Sequence, residues 1–194
     1  MKNLQIAPPP RRSSGARNSW WRSTVAVSLP LLGLALLAAC ATVPMTPRDP
    51  RARDLRNQPP PRSLPMPVDR AQKSSLRDSY GDPRSGGRRH EGIDVFAGRN
   101  TAVLSTTEGY VSRVGRNGLG GNVVWVEGPA GWRHYYAHLE RWGNVREGQW
   151  VEPGTIIGYV GNSGNARTTP PHLHIGRRQG GVWVNPWPTT SPVC

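Results

Sequence analysis

Five histidines occur in the 194-residue chain: His90, His134, His138, His172 and His174. Two local patterns among them could hold a metal. In His172-Leu173-His174, alternation along an extended strand puts both imidazoles on one face, about 6.6–6.8 Å apart along the chain, and turns Leu173 toward a core. In His90-Glu91-Gly92-Ile93-Asp94 an imidazole and a carboxylate stand four residues apart. Gly92 and the β-branched Ile93 argue against a helix there, so the pattern reads as a loop entering a strand. Imidazole with carboxylate is a donor set suited to zinc. Either pattern alone is also what an ordinary surface loop or strand carries. Taken together, His90, Asp94 and His174 supply three protein ligands and leave a fourth position open, the composition of a catalytic rather than a structural zinc site. Structural sites usually recruit cysteine, and this chain has only Cys40 and Cys194.

The order of the motifs carries a family likeness. The chain closely resembles the LytM/lysostaphin-type peptidoglycan metalloendopeptidases through H-x-x-x-D at His90–Asp94, Y-x-H-L at Tyr136-Ala137-His138-Leu139 and H-x-H at His172-Leu173-His174. The run Val160-Gly161-Asn162-Ser163-Gly164, leading to Pro170-Pro171-His172, is similar as well. The resemblance spans residues 79–188. It implies a small antiparallel β-sandwich or barrel-like domain with zinc in a surface groove. It also implies zinc ligation by His90, Asp94 and His174, with His138 and His172 as the catalytic pair that handles protons. The implied activity is hydrolysis of peptide cross-links or stem peptides of peptidoglycan during cell-wall remodelling. One departure is Gly176, where many relatives carry an acidic residue. A non-catalytic wall-binding or regulatory lipoprotein on the same fold is the alternative, and the complete set of five catalytic-type residues argues against it. A biotinyl or lipoyl carrier is excluded, because Lys2 and Lys73 are the only lysines and neither lies in the β segment.

The elements that must position these residues are strands. Twenty prolines and 23 glycines disfavour long helices, and turn residues punctuate the segment after Ser79 every 8–12 positions, which predicts an all-β fold. Ala102–Ser105 and Gly109–Val114, either side of Thr106-Thr107-Glu108, are predicted to form a hairpin. Further strands are expected over Asn122–Glu127, Trp132–Leu139 and Thr155–Val160. If Trp132–Leu139 is regular, His134, Tyr136 and His138 project from one face, with His134 about 13 Å from His138. Both therefore cannot flank one metal. The Y-x-H-L match selects His138, which leaves His134 as a solvated or hydrogen-bonded strand residue whose loss should be nearly silent.

Ahead of this domain the composition changes twice. Residues 1–39 carry five basic side chains and no acidic one, and lead into the apolar run Thr24–Ala39. At 16 residues this run is short of the ~20 that span a bilayer, and it fits a secretory signal. Its close, Leu37-Ala38-Ala39-Cys40, resembles the lipobox of bacterial lipoproteins, which implies lipidation of Cys40 after cleavage and a membrane anchor. An ordinary signal peptide with a chance cysteine, or an uncleaved anchor, are the alternatives. Ala41 in place of aspartate implies, by that family's sorting rule, the periplasmic face of an outer membrane. Residues 40–78, rich in proline and arginine, read as a disordered tether, and residues 189–194 as a tail. A disulfide between Cys40 and Cys194 is the weaker reading of those cysteines. Formal charge is +13, and beyond residue 39 there remain 20 basic and 12 acidic residues. Such a surface suits a polyanion, but the arginines form no nucleic-acid motif. Anionic lipid headgroups and cell-wall polymers fit it equally well, and charge alone does not choose between them. The expected partners are peptidoglycan as substrate and the membrane through the lipid anchor, not nucleic acid, and no motif specifies an activating protein.

Overall fold

The computed structural model describes residues 49–71 and 76–187. The expected leader over 1–39, the lipidation site Cys40, and the tail over 189–194 with Cys194 lie outside the described residues. Nine strands form among the described residues: β1 (Ile93–Phe96), β2 (Ala102–Leu104), β3 (Gly109–Asn117), β4 (Gly121–Glu127), β5 (Arg133–Trp142), β6 (Trp150–Val151), β7 (Ile156–Val160), β8 (His172–Gln179) and β9 (Val182–Val184). Their pairings are antiparallel, in the order β1-β8-β5-β4-β3-β6, with β9 on β8 and β7 joining β5 to β2. The all-β expectation holds, with a short helix, α1 (Arg51–Asp54), ahead of the sheet among the described residues.

β5 is the hub. Its first half, Arg133–Ala137, pairs with β8, and its second half, Leu139–Trp142, pairs with β7. The change of partner falls at His138 and lets the sheet curl around one apolar core. Ile93, Val95, Val124, Val126, Tyr136, Leu139, Ile157, Leu173 and Ile175 are all fully buried in it. Each aliphatic side chain there contributes on the order of 1.5–3 kcal/mol. Because side chains alternate along a strand, burying Ile93 and Val95 turns Asp94 to the opposite face, and burying Leu173 and Ile175 does the same for His172 and His174.

Two expectations need correction. The hairpin across Thr106-Thr107-Glu108 does not form: β2 pairs with β7, while β3 pairs with β4 and β6. The connection lacks the Asn-Gly or Gly-X turn that a tight hairpin wants. Instead Thr106 is buried and spends its amide and hydroxyl on the Tyr136 hydroxyl, at 2.9 and 2.8 Å. The second correction concerns the tether. Residues 49–71 are not free chain but an arm packed on the domain, with Leu55, Leu64 and Val68 buried. The Leu104 amide donates to the Pro67 carbonyl at 2.8 Å and the Asp69 amide to the Ala102 carbonyl at 3.0 Å, so the arm adds backbone to the edge of β2. Arg51 pairs with Glu152 and Arg56 with Glu127, each at 2.9 Å. Composition failed here because three well-spaced apolar residues, with no periodicity among them, are enough to dock a proline-rich segment onto an existing core.

Candidate metal centre

Asp94 and His174 are direct cross-strand neighbours on β1 and β8, and Ala137 of β5 sits opposite His174 on the other side. This row forms the floor of a groove of about 770 Å³. His90 enters from the loop that precedes β1, where its amide donates to the Asp82 carbonyl at 2.9 Å. His90 Nε2 lies 2.9 Å from His174 Nδ1, and Asp94 Oδ1 lies 3.1 Å from each of these nitrogens. Three donor atoms thus meet in a near-equilateral triangle. Zinc held by bonds of about 2.0–2.1 Å needs ligand atoms roughly 3.3 Å apart, so donor chemistry and spacing both fit that ion. A Cβ at Gly92 would meet His174 Nε2 at 2.8 Å, so glycine lets the loop pass beside the ring.

Backbone carbonyls set the tautomers. His90 Nδ1 donates to the Ser79 carbonyl at 2.7 Å, His138 Nδ1 to the Ser163 carbonyl at 2.8 Å, and His172 Nδ1 to the Pro170 carbonyl at 2.8 Å. A carbonyl can only accept, so each of these rings carries its proton on Nδ1 and keeps a lone pair on Nε2. For His172 that lone pair lies 3.9 Å from Asp94 Oδ1. Burial penalises the Asp94 carboxylate, but hydrogen bonds with His174 and His90 outweigh it and hold its pKa well below the usual range. Burial, with the neighbouring His174, pushes His138 down to about 4. His174 is also lowered, chiefly by burial. His138 is therefore neutral at ordinary pH.

β5 is not regular. His138 has φ +61, a left-handed conformation that a non-glycine residue rarely adopts. The ladder to β4 slips in register here, from Val124↔Tyr136 to Asn122↔Leu139. The bulge sends His138 to the groove, while Tyr136 and Leu139 stay in the core. The His138 amide donates to the Gly120 carbonyl at 2.7 Å, which holds the turned backbone. Its ring centroid lies 5.0 Å from that of His172 and 5.8 Å from that of His174. The expected common face for His134, Tyr136 and His138 is thus corrected: His134 and Tyr136 face the core, and His138 lines the groove. His134 is fully buried on the core side, with Nδ1 3.0 Å from the Thr106 hydroxyl, and takes no part in the groove.

The motifs did not disclose Arg84 or Tyr135. Arg84 Nη2 donates to Asp94 Oδ2 at 2.6 Å, leaving Oδ1 for the triangle. Tyr135 meets His174 edge-on at 5.8 Å, and strand alternation from Ala137 could have located it. At Gly176 the missing acid has a structural counterpart: a Cβ there would lie 2.7 Å from the Trp183 ring, which forms this part of the groove wall.

A model of peptidase family M23 matches residues 88–186. The chain is 41% identical over 122 residues to the L-Ala–D-Glu endopeptidase of Bacillus subtilis (strain 168), covering 59% of this chain and 37% of that protein. It is similar in structure to the catalytic domain of lysostaphin from Staphylococcus simulans, with a TM-score of 0.53 and 31% identity over 58% of this chain and 89% of that one. A zinc-containing peptidase from Vibrio cholerae is similar at a TM-score of 0.52 and 31% identity, covering 63% of this chain and 39% of that one.

Proposed function

Because the chain belongs to peptidase family M23, we propose that it is a zinc-dependent endopeptidase that hydrolyses peptide bonds in the stems or cross-links of peptidoglycan. The observation that carries this reading is the triangle of His90, Asp94 and His174 beside two imidazoles whose Nε2 lone pairs are free. His90, Asp94 and His174 would hold the ion. Zinc bound there supplies Lewis acidity, which polarises a carbonyl and activates a water nucleophile near neutral pH. The remaining work belongs to the protein. His138 Nε2, neutral because burial depresses its pKa to about 4, accepts the proton of the attacking water. His138 then passes that proton to the leaving amine nitrogen, while His172 Nε2, oriented by the Pro170 carbonyl, accepts a hydrogen bond from the attacking water. Histidine suits both tasks because its intrinsic pKa of ~6.5 lies near working pH. The similarity to an L-Ala–D-Glu endopeptidase and to lysostaphin supports wall peptide as the substrate class.

We further propose that Cys40 is lipidated and holds the protein in the cell envelope, at the periplasmic face of an outer membrane. Incubating the purified protein with isolated sacculi, with and without a chelator, tests the activity. Release of peptides that stops on chelation and returns with zinc is expected. Mass analysis of the products identifies the bond, and the absence of any cleavage would refute the reading.

A further inference from the structure

One wall of the groove is cationic, and we infer that Arg88 and Arg89 read a free carboxylate on the peptide being cut. This rests on the peptidase reading above and specifies which peptides the groove prefers. The segment ahead of His90 doubles back on itself: the Arg84 amide donates to the Arg88 carbonyl at 2.9 Å, and Pro83 bridges Arg89. Its side chains are steadied from within. Arg88 Nε and Nη2 donate to the Ser85 carbonyl and hydroxyl at 3.2 and 3.3 Å, and Arg89 Nη1 donates to the Gly81 carbonyl at 3.1 Å. A guanidinium has five N–H donors in a rigid fork, so each keeps donors for a ligand.

Charge balance points the same way. Arg51, Arg56, Arg77, Arg84 and Arg99 each pair with a carboxylate. Among the described residues no carboxylate lies within ion-pair reach of Arg88 or Arg89, yet both line the groove. Against Arg84, Arg88 and Arg89 the groove sets only Glu91 and Asp94, and Asp94 is engaged by Arg84 and by the metal triangle. The part of the lining contributed by Asn117, Leu119, Asn165 and Thr169 is uncharged. A fork that is held in place, lacks a carboxylate partner and stands immediately before a metal-ligating histidine fits bidentate recognition of a carboxylate. The ligand is then a stem peptide with a free carboxylate near the scissile bond, in preference to the same peptide amidated there.

The test compares two synthetic stem peptides, free acid and amide, with the wild type and with R88Q/R89Q. Wild type should favour the acid by about tenfold or more in kcat/KM, chiefly through KM, the scale of a hydrogen bond to a charged group. The double variant should lose that preference, and R88K/R89K should regain part of it. Calorimetric binding of both peptides to chelator-treated protein gives the same comparison without turnover, and zinc content and circular dichroism check the fold. Cleavage with no acid preference, or with a preference that survives R88Q/R89Q, overturns the inference and leaves the peptidase reading intact. If neither peptide is cut, that reading fails for these bonds, and the calorimetric preference decides the inference alone. Inorganic phosphate at matched ionic strength competing as well as the acid peptide would show a general anion patch and would also overturn it.

Discussion

At the scale of single residues, geometry sets the His90, Asp94 and His174 triangle apart from His138 and His172, and all five apart from the core-side His134. Removing Asp94 leaves two nitrogens of the triangle, so Asp94→Ala should bind zinc at least 100-fold more weakly in a chelator competition. Full activity with intact zinc binding in that variant would remove the proposed centre. His138→Ala should retain zinc but lose turnover by ~10²-fold, the scale of a general acid–base group. His134 was expected to be dispensable, and its burial changes that. His134→Ala leaves a hole in the core and strips Thr106 of a partner, which should cost about 2–4 kcal/mol in urea unfolding while turnover per folded molecule survives. The same residue predicts acid lability. Burial, then the charge of Arg177, pushes His134 down to about 3, whereas an unfolded histidine titrates near ~6.5. Between those values the unfolded chain binds the extra proton, so stability falls as pH drops from 6.5 toward 3. His134→Gln should flatten that slope in unfolding curves taken at pH 7 and pH 5. Equal slopes in the two proteins would contradict the assignment.

Among the elements, the arm and the β5 bulge matter most. Residues 49–71 close the edge of β2 and cover the core with Leu55, Leu64 and Val68. Leu55→Ala should therefore cost about 2–5 kcal/mol, the usual toll of a fully buried leucine, and lower the melting temperature. Deleting residues 49–69 should impair hydrolysis of soluble peptides and of intact wall alike. A truncated protein with unchanged melting temperature and full activity on soluble peptides would show the arm to be mere linker. The bulge has a different logic. It strains one residue, His138, and the backbone acceptors Gly120 and Ser163 hold that residue from both ends. Ser163 is itself tied down, its hydroxyl donating to the Leu139 carbonyl at 2.7 Å and accepting from the Asn122 amide at 2.9 Å.

For the whole molecule, packing of the arm alters the reach of the domain. Eight residues separate Cys40 from Asp49. A fully extended polyproline-like chain of that length spans only ~25 Å at 3.1 Å per residue. With Cys40 lipidated, the groove would work close to the membrane surface and not deep in the wall. Cys40→Ser should shift the protein from the membrane to the soluble fraction, or leave uncleaved precursor. A mature, membrane-bound Cys40→Ser protein would show that the anchor lies elsewhere.

The sequence by itself determined which side chains the groove could draw on, because residue type and strand alternation are local properties. His172 and His174 share a face with Leu173 turned inward, as period-two alternation dictates, and the H-x-x-x-D loop enters β1 as Gly92-Ile93 implied. Strands with strong turn signals, such as β4 and β7, were legible for the same reason. Tertiary structure alone decided which strands pair, because register depends on partners distant in the chain: β2 joins β7 across Val103 and Gly158, not its sequence neighbour β3. It also decided that His138 leaves the core face, since the bulge exists only where β5 changes partner from β8 to β7. And it decided the fate of the proline-rich arm, because Leu55, Leu64 and Val68 have no pattern of their own and acquire one only against a core that the rest of the chain has built.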